Sequence, residues 1–218
     1  MTTKPKLVLY SYWRSSASYR VRMALNLKGL DYEVRPVHLV RDGGQQHSAE
    51  YLALNPQGLV PTLVDGATVI TQSLAMLEYL EERHSAPALL PGDAAGRARV
   101  RAIASAIACD IHPLNNLRVL KHLVGEVGVD ESAKLAWYRH WTQTGLQAVE
   151  KMLAQGAGDF CHGDEPSIAD CCLLPQVYNA HRFNCDLSGL QAIGRICTNL
   201  EALDPVHRAA PEQQPDAE

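Results

Sequence analysis

Apolar positions change their rhythm along this chain. Leu7 to Tyr10 is a short apolar run that reads as a strand, and after a polar loop the spacing from Ser18 to Lys28 becomes helical and stops at Gly29, a residue suited to a left-handed C-cap. A second strand is predicted over Tyr32 to Leu39, a polar loop at Arg41 to Gln46, and a short helix over Ala49 to Leu54. Val60 to Val64 and Thr68 to Ile70 flank Asp65-Gly66, a strong hairpin signal. Helical spacing returns from Ser73 to His84, with Leu74, Leu77, Tyr79 and Leu80 as candidate core positions.

Strands separated by helices usually pair in parallel, so this order predicts a small mixed sheet with helices on its faces. Pro87 and Pro91-Gly92 then read as a linker, and the remainder as helix, with breaks expected at Pro113, Gly125 to Gly128, Gly156 to Gly163, Pro175 and Ser188-Gly189. The expectation is an α/β domain over residues 1–85 and an all-helical domain over residues 92–218. A loose tail is expected from Pro211 to Glu218. Ser167-Ile168-Ala169-Asp170 has the spacing of a capping box, with Asp170 reaching back to the amide of Ser167.

A length of 218 residues with 46% hydrophobic content allows a substantial core. With 20 Lys+Arg against 24 Asp+Glu, a net of -4, and no basic run, no nucleic-acid partner is expected. Met1 to Lys6 leads straight into Leu7, too abruptly for a signal peptide or membrane span, so a cytoplasmic location without membrane contact is expected. The six cysteines all lie in the second half with no C-x-x-C pair, which reads as buried free thiols and gives no metal site.

The chemistry becomes specific at three places: Ser15-Ser16-Ala17-Ser18-Tyr19-Arg20-Val21-Arg22-Met23-Ala24-Leu25, Asn55-Pro56-Gln57-Gly58-Leu59-Val60-Pro61-Thr62-Leu63, and Gln72-Ser73-Leu74-Ala75-Met76. The first resembles the serine-rich opening of the first helix in zeta-class glutathione transferases. The second resembles the cis-proline loop of thioredoxin-like domains, and the third the Gln-Ser pair that holds the γ-glutamyl end of glutathione. The resemblance continues through Asp110 to Asn116, Pro175-Gln176-Val177 and Ala180 to Phe183, from residue 7 to about residue 210.

It implies a glutathione-transferase fold, a thioredoxin-like glutathione-binding domain followed by a helical domain completing the substrate site, and a homodimer. The implied activity is glutathione-dependent cis-trans isomerisation of a maleyl keto acid, maleylacetoacetate or maleylpyruvate, in aromatic catabolism. The thiolate would add to the cis double bond and leave after rotation. A general transferase or peroxidase, or a non-catalytic glutathione-binding module, remains open beside it. The resemblance assigns catalysis to Arg14, Ser15 and Ser16, and glutathione binding to Ser15, Ser16, Ala17, Gln46, Val60, Pro61, Gln72, Ser73, His112, Asn115 and Asn116. Arg14, Arg118 and Arg182 are assigned to the substrate carboxylates. Ala17 stands where many members carry cysteine.

Elementary chemistry supports these roles. Helix-start amides favour an anion at Ser15 and at Ser73, although serine is also among the commonest caps. A cis bond before Pro61 would present the Val60 backbone to a short extended peptide. Arginines bind carboxylates with bidentate geometry, and a conjugating pocket for neutral electrophiles would be mostly apolar.

Overall fold

A computed structural model of the chain describes residues 7–218. Met1 to Lys6, on which the expectation about a leader segment rests, lie outside the described residues.

Alternation decides the first element. In β1 (Leu7–Ser11) the odd positions are buried while Val8 and Tyr10 are half-buried on the other face. β1 pairs in parallel with β2 (Tyr32–Pro36) and antiparallel with β3 (Thr62–Asp65), which turns through Gly66 (φ 59°) into β4 (Thr68–Thr71). The sheet order is β2-β1-β3-β4. A parallel pair needs a crossover, and α1 (Ser16–Leu27) supplies it, ending at Lys28 with Gly29 at φ 64°. α2 (Ala49–Leu54) starts at the Ser48 cap, and α3 (Ser73–Arg83) follows the hairpin.

Leu9, Leu25, Leu63, Met76, Leu77 and Leu80 are wholly buried, each contributing about 2 kcal/mol by removal from water. Met76 holds the core position expected for Leu74. Leu74 and Tyr79 are only half-buried, because the inward stripe of α3 runs through Ser73, Met76, Leu77 and Leu80, and the Tyr79 hydroxyl donates to Asp65 Oδ2 (2.8 Å). β2 stops at Pro36, short of Leu39, since the chain folds back when His38 N–H donates to Gln45 Oε1 (2.9 Å).

The residues group into two compact units. One runs as far as Leu89 and also takes Glu201–Glu218; the other is Leu90–Leu200. The last segment therefore differs from the expected all-helical 92–218 and from the expected loose tail. α9 (Asp204–Ala209) packs on α1, where Asn26 Nδ2 donates to Pro205 O and Arg22 Nε to Ala209 O, both at 2.9 Å. Beyond it Gln214 is buried and bonded to the carbonyls of Arg208 and Ala210.

In the second unit, α4 (Ala94–Ser105), capped by Asp93, runs into a π turn at Ala106–Ile111 and a 3-10 turn at His112–Asn115. α5 (Leu117–Gly125), α6 (Glu131–Leu153), α7 (Ile168–Arg182) and α8 (Gln191–Glu201) follow. The break expected at Pro175 is absent, and α7 passes through it. Ten further residues of α7 besides Pro175 are buried, and that packing outweighs one missing hydrogen bond. Asp170 Oδ2 accepts from Ser167 N–H (2.8 Å) and Ser167 Oγ–H (2.6 Å), and Oδ1 accepts from Cys161 N–H (2.9 Å). Cys109 is exposed, in contrast to the expectation for the cysteines; the other five are buried free thiols.

Candidate active site

The loop Tyr12 to Arg14 carries the chain from β1 into α1. Ser15 caps the helix in extended backbone (φ −72°, ψ 121°), and its Oγ accepts from Ser18 N–H at 3.2 Å. Ser16 follows, buried, then Ala17, half-buried, and no acidic side chain lies in the first turn to offset the positive helix end. A hydroxyl that accepts one bond still has its own hydrogen to give, so capping leaves Ser15 able to stabilise a thiolate. Arg14, next to it, lies with its guanidinium carbon 5.9 Å from the Tyr12 ring centroid and 5.5 Å from that of Trp13.

Val60-Pro61 is a cis peptide, and the Val60 backbone makes no hydrogen bond among the described residues. Gln72 precedes α3 with φ 69°, a conformation rare for a residue with a side chain, and its Nε2 donates to Gln57 Oε1 (2.7 Å). Ser73 opens α3, again without an acidic residue in the first turn. Gln46 is only 6% exposed, and its Oε1 has no hydrogen-bond partner among the described residues. Gly44, at φ 107°, makes room for it, since a Cβ there would stand 2.5 Å from Gln46 Nε2. A buried amide with an unpaired acceptor is uncommon in a fold and leaves Oε1 free to accept from a ligand or from water.

Two residues escaped the sequence assignment although they stand inside the quoted motif. Arg20, 1% exposed, donates Nη1 to Ser73 Oγ (3.1 Å) and so supports the start of α3 from beneath. Arg22, 0% exposed, donates to Trp13 O (2.9 Å) and Ser11 Oγ (3.2 Å) at the loop before Ser15. Burial lowers its pKa to about 10, against the raising influence of nearby Tyr32, Tyr19, Asp216 and Glu212, so it stays cationic at neutral pH. The signal was present: residues two apart project about 200° apart around a helix, so both arginines could not face water on one side.

The other residues named from the sequence lie in the second unit. His112 is half-buried in the 3-10 turn. Asn115 is buried and donates Nδ2 to Thr142 Oγ1 (3.1 Å), while Asn116 caps α5 by accepting from Arg118 N–H (3.1 Å). Arg118 is exposed; Arg182, also exposed, donates Nη1 to Asn179 Oδ1 (3.2 Å) and lies 5.8 Å from the Phe183 ring centroid. Among the described residues no cluster of His, Cys, Asp and Glu could hold a metal ion, and no helix is long and apolar enough to cross a membrane.

The family description "Glutathione S-transferase, N-terminal domain" matches residues 9–88. A probable maleylacetoacetate isomerase of Vibrio cholerae is 52% identical over 97% of this chain and 98% of its own length. The holo structure of a maleyl pyruvate isomerase, a bacterial glutathione S-transferase of the zeta class, superposes with a TM-score of 0.93 at 47% identity, covering 97% of this chain and 100% of that one. A maleylacetoacetate isomerase from Methylobacterium extorquens AM1, solved with bound malonate and glutathione, has a TM-score of 0.92 at 43% identity, covering 97% and 99%.

Proposed function

The chain belongs to the glutathione S-transferase family, in the zeta class with the maleylacetoacetate and maleylpyruvate isomerases, and from that premise we propose that it is a glutathione-dependent cis-trans isomerase of a maleyl keto acid. The observation that carries the reading is the adjacency, on one short loop, of the Ser15 cap and the Arg14 guanidinium. A hydroxyl for a thiolate stands beside a permanent cation for the carboxylate or ketone oxygen of an acidic substrate.

Glutathione fits the groups present. Gln46 offers an unpaired buried amide oxygen for a peptide N–H and an amide nitrogen for a carboxylate, and the unbonded Val60 backbone offers strand-like pairing. When bound, glutathione supplies a thiolate that adds to the double bond and leaves again, so that it is returned unchanged. Ser15 and the first amides of α1 hold that sulfur. Gln72 and Ser73 hold the γ-glutamyl carboxylate, and Gln46, His112, Asn115 and Asn116 serve the glycyl end and the sulfur region. Arg14, Arg118 and Arg182 bind the two substrate carboxylates and favour the charge that develops on the ketone oxygen. Because Ala17 has no thiol, the only sulfur at the start of α1 is the ligand's. The enzyme works as a cytoplasmic homodimer in aromatic catabolism.

The test is turnover of maleylacetoacetate and of maleylpyruvate by the purified protein, with and without glutathione. Conversion to the fumaryl isomer that requires glutathione and consumes none is the expected result. Stoichiometric loss of glutathione, or no conversion of either acid, would overturn the reading.

A further inference from the structure

The loop that places Arg14 and Ser15 is short, and the peptide groups of Trp13 at its centre are held by charged side chains from elsewhere. Trp13 N–H donates to Asp216 Oδ2 at 3.0 Å, and Trp13 O accepts from Arg22 Nη2 at 2.9 Å. The same guanidinium donates Nε to Ala209 O (2.9 Å) and Nη1 to Ser11 Oγ (3.2 Å), the residue at the end of β1. Charge-assisted bonds of this kind are about twice as strong as neutral ones. Asp216 also acts through space on Arg22, favouring its charged form. The chain from Ala209 to Asp216 is thus bonded to the active-site loop at one end by a carboxylate and at the other through a buried cation.

We propose that the Ala209–Asp216 segment is a brace for the loop ahead of Ser15, with Asp216 and Arg22 as positioning residues that set where the Ser15 hydroxyl and the Arg14 guanidinium stand. The inference rests on the isomerase reading for its catalytic consequence. Neither residue is among the groups assigned to glutathione or the keto acid; both act through the Trp13 backbone. A displacement of the loop by a fraction of an ångström would leave the anchors at Val60, Gln72 and Ser73 in place and move only the groups that meet sulfur and substrate.

Arg22 is so deeply bonded that its replacement threatens the fold, so the test uses Asp216, which is only half-buried. Asp216→Ala and Asp216→Asn are compared with the parent by kcat, by glutathione affinity, by hydrogen exchange of the Trp13 amide in the absence of glutathione, and by the ultraviolet absorbance of bound thiolate. In the alanine variant the Trp13 amide should exchange about tenfold faster and kcat should fall about tenfold, with less thiolate formed and glutathione affinity within about twofold of the parent. Asparagine, which keeps an acceptor oxygen, should restore most of the loss. Unchanged kcat in the alanine variant overturns the brace, as does a loss that merely follows a lower melting temperature and weaker glutathione binding. If the parent itself turned over neither maleyl acid, the isomerase reading would fail. The amide exchange and the thiolate absorbance would then still decide the brace, and no change in either would end it.

Discussion

In the proposed site the Ser15 hydroxyl has two uses. Its oxygen accepts from Ser18 N–H, which fixes the side chain at the start of α1, and its hydrogen remains for an anion. Removing it should therefore act on the sulfur and spare the peptide's anchors: Ser15→Ala should lower kcat by about a hundredfold with glutathione affinity nearly unchanged, as read by steady-state kinetics and calorimetry. Ser73 divides the other way. Its oxygen accepts from Arg20 and its hydroxyl faces a carboxylate in the proposed site, so Ser73→Ala should weaken glutathione binding about tenfold, the cost of one hydrogen bond to a charged group. The serines, Gln72 and Val60 were legible in the sequence because they belong to a motif with a stated chemistry. Arg20 and Arg22 were only partly so: their spacing keeps both from sharing one solvent-facing side of α1, but charged side chains are solvated by default, and it is the burial of both and their bonds to Ser73, Ser11, Trp13 and Ala209 that show them pointing inward.

Elements were legible where local chemistry and tertiary packing agree. Asp65-Gly66 marks the β3-β4 turn, Gly29 ends α1, and Ala49–Leu54 forms as predicted, each from residues whose conformational preference matches the place they occupy. Pro175 shows the opposite case: a local breaker overruled by the burial of nearly the whole of α7. The start of that helix depends on Asp170, whose carboxylate serves Ser167 and Cys161 together. Asp170→Ala would leave two buried amides without an acceptor and should lower stability by about 3 kcal/mol in denaturant unfolding. Burial raises the Asp170 carboxyl above its ordinary value, although the hydrogen bonds from Ser167 and Cys161 oppose the shift. A carboxyl raised in the folded state gives its greatest stability below its unfolded value and loses it as pH rises through the folded one. The stability gap between the parent and Asp170→Asn should therefore narrow as pH rises across that interval, and a gap that widened would mean that the charge is favoured in place.

At the level of the whole molecule, the question is what the arginines recognise. Their number and type were legible from the motif, but their surroundings were not: Arg14 lies against Tyr12 and Trp13, Arg182 is steadied by Asn179, and Arg118 follows the Asn116 cap of α5. Arg14 belongs to the first unit and the other two to the second, and the proposed substrate is the probe applied to all three. Arg14→Met, Arg118→Met and Arg182→Met keep side-chain bulk and remove charge. If each binds a carboxylate of the maleyl acid, each variant should lose about tenfold to a hundredfold in kcat/KM for the keto acid, the usual strength of a hydrogen bond to a charged group. Conjugation of chlorodinitrobenzene, which has no carboxylate, needs only the glutathione site and should change little. Equal losses on both substrates would assign the arginines to glutathione or to the fold. No loss on either would make them solvated surface charges, and selectivity for a dicarboxylate would then have to come from other residues.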